Sequence, residues 1–206
     1  MYALDPQAAK EAESVGNRIA EKGKYKGRFT RAQHIVSENK GTAGIEFDFV
    51  TEAGQKARFA VYTMRADGSK IYGFKQLSAI MACLSLRGLA DPKNTPAKVY
   101  DFDAGQEIDV VVPQFPELLG KPIGLLFTME EYKPGKWRPN LAGAFQASSE
   151  LAASEILDRR TQPEQLAKMV QALRDKPLTG GGQRSSMDDG NREAAYAGSY
   201  TDDIPF

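Results

Sequence analysis

Apolar and polar positions change rhythm several times along this 206-residue chain, and each rhythm predicts an element. From about Asp5 to Lys22 the apolar content is thin, limited to Val15, Ile19 and several alanines. Asp5 can cap a helix there and Pro6 suits its first turn, so a short polar helix is expected. From Lys24 the period becomes two. YKGRFTRAQHIV sets Tyr25, Gly27, Phe29, Arg31, Gln33 and Ile35 on one face and basic residues on the other. GIEFDFV is the cleanest strand, with Ile45, Phe47 and Phe49 facing in and Glu46 and Asp48 facing out. KARFAVYTM follows the turn Glu52-Ala53-Gly54-Gln55 as its hairpin partner, and Asp67-Gly68 marks the next turn.

The period then becomes helical. In FKQLSAIMACLSLRG, Phe74, Leu77, Met81 and Leu84, with Ile80 alongside, form one apolar stripe that Gly88 is placed to end. Strand patterns resume at AKVYDFD and QEIDVVVPQF. A long hairpin follows, KPIGLLFTMEEY and WRPNLAGAFQ about the turn Lys133-Pro134-Gly135-Lys136. Two helices come next. Leu151, Ile156 and Leu157 lie in the first. The second is expected to start at Thr161, where Thr-Gln-Pro-Glu reads as a capping box closed by Glu164. Beyond Pro177 the chain is Gly-, Ser- and charge-rich, the composition of a flexible linker.

Three strands, a helix and two more strands is the order of the OB-fold barrel. The expected architecture is therefore mainly β: an OB-like five-stranded barrel with a helix between strands 3 and 4, additional C-terminal helices and a disordered acidic tail. The corresponding segments are 1–23 (helical extension), 24–147 (barrel), 148–176 (C-terminal helices), 177–198 (linker) and 199–206 (acidic tip).

Charge sharpens this picture by its distribution. Lys+Arg and Asp+Glu are equal at 27 each, yet Lys24 to Lys75 holds ten cations against five acids, while the chain from Pro177 holds two against five. A basic body with an acidic tail is a pattern of nucleic-acid interaction. Cys83 is the only cysteine and excludes an intrachain disulfide. The opening MYALDPQAAKEAE lacks a leader's apolar segment, and no run is long enough to span a bilayer, so a cytoplasmic location is expected.

Binding unpaired nucleic acid needs cations along the phosphate path and aromatic faces for the bases. Lys24, Lys26, Arg28 and Arg31 lie on the first strand, and Lys56, Arg58 and Tyr62 on the third. Arg65, Lys70 and Tyr72 fall in the next turn, and Lys133, Lys136, Trp137 and Arg138 at the hairpin tip. Phe29, Phe47, Phe49 and Phe59 are assigned to the core. Tyr62 is in phase with Arg58 and is expected to face outward, and Trp137, between Lys136 and Arg138, is the leading stacking candidate. Catalytic chemistry is thin: one histidine (His34) and one cysteine cannot build a His/Cys zinc site, Gly180-Gly181-Gly182 is linker, and no phosphate loop is present. The acid pairs Glu46/Asp48, Asp101/Asp103 and Glu130/Glu131 would have to converge to hold Mg²⁺ for a nuclease; on exposed strands they read more simply as solvent-facing positions. No cofactor is implied.

The last five residues, Asp202-Asp203-Ile204-Pro205-Phe206, resemble the acidic Ile-Pro-Phe tip of bacterial single-stranded-DNA-binding proteins. The order of basic body, polar linker and tip is similar too. The body does not align with bacterial members and looks more like a bacteriophage-encoded relative, so no body residue carries over. The resemblance implies a non-catalytic protein that coats single-stranded DNA and recruits replication, recombination and repair enzymes through its tip. Physically, Phe206 can enter an apolar pocket while a partner's cation meets its carboxylate, Pro205 pre-sets the backbone, and Asp202 and Asp203 attract a basic surround. A linker of about 25 residues reaches roughly 25–30 Å. The alternative is an interaction module that mimics the tip to capture host repair enzymes, with little DNA affinity of its own. The sequence does not choose between a monomer and a homo-oligomer.

Overall fold

The structure is a computed structural model that describes residues 18–101 and 106–178. These contain strands β1 (Gly23–Val36), β2 (Ala43–Thr51), β3 (Lys56–Met64), β4 (Lys93–Asp101), β5 (Gln106–Gln114), β6 (Pro122–Lys133) and β7 (Lys136–Phe145). The helices are α1 (Tyr72–Cys83), α2 (Ala153–Leu157) and α3 (Gln165–Gln171), with a 3₁₀ turn at Pro116–Leu118. The fold is mainly β, as expected, but its antiparallel sheet has seven strands and is not closed.

β1 organises the sheet because both its edges are used. Gly27–Val36 pairs with β2, which pairs onward with β3. On the opposite edge, Gly23–Arg28 pairs with β6, while Gln33 meets Gln114 of β5. Five strands thus run in the line β3-β2-β1-β6-β7, and the β4–β5 hairpin branches from the far half of β1. The sequence pattern placed the fourth and fifth strands of a barrel directly after the helix. The hairpin there joins the sheet only at Gln114, and β6 is the strand that lines up against the start of β1. Periodicity identifies strands, but it does not say which strand each one pairs with.

The ends of the five-strand line, β3 and β7, approach each other without a ladder. Helix α1 lies across this seam. Gly73 is placed where a Cβ would fall on the Tyr62 carbonyl of β3, and the Gln76 side chain donates to the Leu141 carbonyl of β7 at 2.7 Å. Inside, phenylalanines from four strands meet. Phe29 and Phe47 have ring centroids 4.6 Å apart, Phe47 stacks on Phe59 at 5.3 Å, and Phe59 meets Phe127 edge-on at 5.2 Å. Each ring is buried and contributes about 1.5–3 kcal/mol through area removed from water. The four-Phe core read from the alternation is present.

β6 is buried from Ile123 to Met129 because both its faces are covered. Its second face carries a smaller cluster of Leu126, Phe145, Leu166 and Leu173, closed by Met169 and Val170 of α3. The expected capping box at Thr161 is not formed: α3 begins at Gln165. Buried Glu155 accepts the N–H groups of Glu164 (2.6 Å) and Gln165 (2.9 Å), and that of Ala152 (2.8 Å). A carboxylate from α2, nine residues before Glu164, therefore serves the start of α3 in place of Thr161. At the other end of the described chain, the helical reading of 5–22 fails for residues 18–22. Arg18 bridges Lys56, and Ile19, 2% exposed, donates its N–H to the Lys56 carbonyl. Ile19 belongs to the core and ties the entering chain to β3.

Candidate nucleic-acid interface

On β1 the two-residue period is interrupted. A bulge between Phe29 and Arg31 shifts the register, so Ala32 continues the core face and Arg31 points to the other side. Arg31 therefore does not share the face of Phe29, as strict alternation had it. Nor is it exposed: at 2% it is one of the most buried side chains. Its Nε donates to Asp48 at 2.7 Å, and its remaining nitrogens bond Glu46 and Gln33. Arg58, across β2, donates to the same Asp48 at 2.6 and 3.1 Å. The register pairs Arg31 with Asp48 and Asp48 with Arg58, so three strands carry one charge ladder.

The electrostatics follow. Burial alone would lower the Arg31 guanidinium, but the hydrogen bond and charge of Asp48, with Glu46, outweigh it and hold Arg31 above its ordinary value. Burial pushes the Asp48 carboxyl up, while Arg31 and Arg58 overcome that push and hold it below the usual carboxylate range. As DNA contacts, Arg31 and Arg58 are corrected: both are committed to carboxylates, Arg31 inside the protein and Arg58 half-buried. Glu46 and Asp48 are likewise taken by arginines, and Glu130 pairs with Arg138 at 3.1 Å, so these acids do not stand as open metal ligands. Among the described residues no group of three or more His, Cys, Asp or Glu side chains converges as a metal site would require.

Tyr62 does point away from the core, as its phase implied, but it is only 6% exposed and is corrected as a stacking surface. After β3 the chain folds back, Ile71 donates its N–H to the Thr63 carbonyl, and Ile71 with Ile35 covers the ring. Burial, then Glu46, raise the Tyr62 hydroxyl, with Arg138 opposing. Tyr62 thus lies where β3 approaches β7.

The other candidates divide into three groups. Lys24 and Lys26 converge on Glu150, whose carboxylate they reach at 3.1 and 2.9 Å, while exposed Arg28 continues the same row. Glu150 adopts a left-handed backbone (φ 61°), strained for a non-glycine residue, and hydrogen bonds from Lys26 and Lys24 hold its carboxyl low. Nothing in the local sequence marks Glu150 as the acid that meets those lysines, because it is 126 residues from Lys24. A second group lies at the β3–α1 turn: Arg65 and Lys70 are exposed, Lys70 sits 4.1 Å over the Phe74 ring, and Tyr72 is 54% exposed.

The third group is the β6–β7 tip. Lys133 and Lys136 are exposed across the turn, Trp137 is 39% exposed, and half-buried Arg138 lies over the Tyr132 ring while bonded to Glu130. Glu131 stiffens this tip by accepting the Gly135 N–H at 2.7 Å. Its second oxygen accepts the Leu178 N–H at 3.0 Å, and Lys176 joins the edge of β6 beside it. The last described residue, Leu178, therefore lies next to the basic, aromatic hairpin tip. Most of the 177–198 linker and the tip residues Asp202, Asp203, Ile204, Pro205 and Phe206 lie outside the described residues.

Cys83 is buried and its thiol is pushed up to about 12, a core residue without thiolate character. Among the described residues no helix is long and apolar enough to cross a membrane. No protein-family model and no curated protein matches this chain.

Proposed function

We propose that this chain is a non-catalytic single-stranded-DNA-binding protein, of the bacteriophage-encoded kind, that protects exposed strands and recruits replication, recombination and repair enzymes through Asp202–Phe206. One observation supports this most directly: an exposed tryptophan next to exposed Lys136, with Lys133 across the turn, sits on a stiff hairpin tip beside Leu178, the last described residue before the acidic segment. Trp137 offers a face for a base, Lys133 and Lys136 meet phosphates, and Glu131 limits the conformational freedom lost on binding. The line β3-β2-β1-β6-β7, with α1 across its seam, is compatible with a distorted OB fold in which β4–β5 is an insertion. Under that reading the hairpin tip is one of the loops with which such folds hold single strands.

The test is anisotropy of a labelled oligo-dT at two salt concentrations, with duplex as competitor. The reading expects association that prefers single strands and weakens steeply with salt. Absence of binding at low salt, for the full chain and for one lacking residues 199–206, overturns it. The interaction-module reading draws support from the ion pairs that occupy Lys24, Lys26, Arg58 and Arg138. It expects negligible oligo-dT binding with retained capture of a partner enzyme by the tip.

A further inference from the structure

β1 carries cations at three alternate positions, Lys24, Lys26 and Arg28. Its ladder with β6 runs without a break from Gly23 to Arg28, so the three side chains leave one face of the strand. Two of them meet a single carboxylate. Lys24 Nζ lies 3.2 and 3.1 Å from the two oxygens of Glu150, and Lys26 Nζ lies 2.9 Å from one of them. Arg28 is exposed, and among the described residues no carboxylate pairs with it. Three cations against one acid leave the row positive. Glu150 reaches its place under strain. The β7–α2 connection closes as a turn, with the Gln146 N–H on the Leu151 carbonyl and the Glu150 N–H on the Gln146 carbonyl, both at 2.9 Å. There Glu150 has φ 61°, a conformation that glycine adopts freely and glutamate does not. The contact adds little to stability in exchange. The Lys24, Lys26 and Glu150 side chains are 47, 34 and 32% exposed, a setting in which ion pairs contribute least.

We propose that Lys24, Lys26 and Arg28 form a seat for phosphodiester groups of a bound strand, and that Glu150 is an internal anion that fills the seat until a phosphate displaces it. The inference rests on the single-strand reading, which supplies the phosphate. A phosphodiester offers two unbridged oxygens to cations as a carboxylate does, so the geometry that Glu150 now satisfies suits one. Arg28, next on the same face, meets a neighbouring phosphate without first losing a partner. Displacement is undemanding, because Glu150 lies at the surface and its released carboxylate regains water. The arrangement also favours a polymer over free phosphate. Free phosphate has to displace Glu150 unaided, whereas a strand already held at Arg28 presents its next phosphate at high effective concentration.

Binding of a deoxyribose-phosphate oligomer without bases tests the seat apart from stacking at Trp137. With the full chain at low salt, Glu150→Gly and Glu150→Gln are each expected to hold this oligomer about two- to fivefold more tightly than the wild type, with the melting temperature unchanged. Adding Lys26→Ala should remove most of that gain. Equal affinity of the wild type and both variants overturns the proposal. So does a lower melting temperature without a gain, which would make Glu150 a structural tie. Inorganic phosphate that competes as well as the oligomer at equal phosphate concentration overturns the strand as the source. Failure of the seat and failure of the single-strand reading look different. Oligo-dT binding that ignores both Glu150 variants removes the seat alone. A Lys26-dependent gain for the base-free oligomer, in a protein that does not prefer single strands to duplex, keeps the seat and removes the single-strand reading.

Discussion

Two charged regions look alike in the sequence and behave differently in the fold. On β1–β3, Arg31, Arg58, Glu46 and Asp48 alternate with core phenylalanines; at the β6–β7 tip, Lys133, Lys136 and Arg138 surround Trp137 beside Glu130 and Glu131. In the first region every one of these charges is spent within the protein, and the network is largely withdrawn from water. In the second, Arg138 is held by Glu130, and Lys133 and Lys136 are exposed at the turn beside a half-open ring. The difference teaches that a cation on a strand is available to a phosphate only if no carboxylate lies opposite it in register. Asp48 sits opposite both Arg31 and Arg58, whereas Lys133 and Lys136 sit opposite each other.

The comparison can be broken most forcefully at Asp48. Asp48→Ala leaves Arg31 buried without its main partner and should cost about 3–5 kcal/mol, read as a large fall in the urea midpoint. Oligo-dT affinity of whatever remains folded should change little; a folded protein of normal stability would show that the ladder is not structural. The same carboxylate sets an acid limb. Its folded pKa is depressed, so its stabilisation is complete above the unfolded value and is lost as pH falls through the lower folded one. Unfolding followed from neutral pH into that range should show this loss, and a milder one in Asp48→Asn, whose side chain does not titrate.

Trp137→Ala makes the opposite test. It should leave the melting temperature in place and weaken oligo-dT binding by about 1–3 kcal/mol, with unchanged affinity counting against the tip. Lys133→Ala and Lys136→Ala should each flatten the plot of log affinity against log salt by about 0.7, the value for one single-strand phosphate. The smallest effect is expected at Glu150. Glu150→Gln removes the anion that Lys24 and Lys26 now hold, and should tighten oligo-dT binding by a few fold at low salt. No change there would mean that these lysines lie off the strand path.

Much of the architecture was legible locally. GIEFDFV alternates because Ile45, Phe47 and Phe49 face a core, and the residues facing them follow the same rule. The stripe on α1 is equally plain, with Leu77, Ile80 and Cys83 buried, but the helix ends at Cys83, with Leu84 as its buried cap and Ser85 turning left-handed, instead of running to Gly88. Reading stopped where one residue or one distant partner changed the outcome. The bulge after Phe29 reversed Arg31, the return of Ile71 covered Tyr62, and Glu155 replaced Thr161 at the start of α3. Each depends on how the chain turns or pairs at that point, a one-residue bulge or a return nine residues along, which side-chain periodicity does not encode.

The sequence by itself determined the mainly β character, the phenylalanine core, the aromatic–basic hairpin tip and the acidic stretch from Asp202 to Phe206, because composition and side-chain period are properties of neighbouring residues. Tertiary structure alone decided that the sheet has seven strands and stays open, that Arg31 and Arg58 serve Asp48, and that Lys24 and Lys26 meet Glu150. Strand pairing and burial are set by which segments meet in space, and a charge is free or committed only once that meeting has occurred.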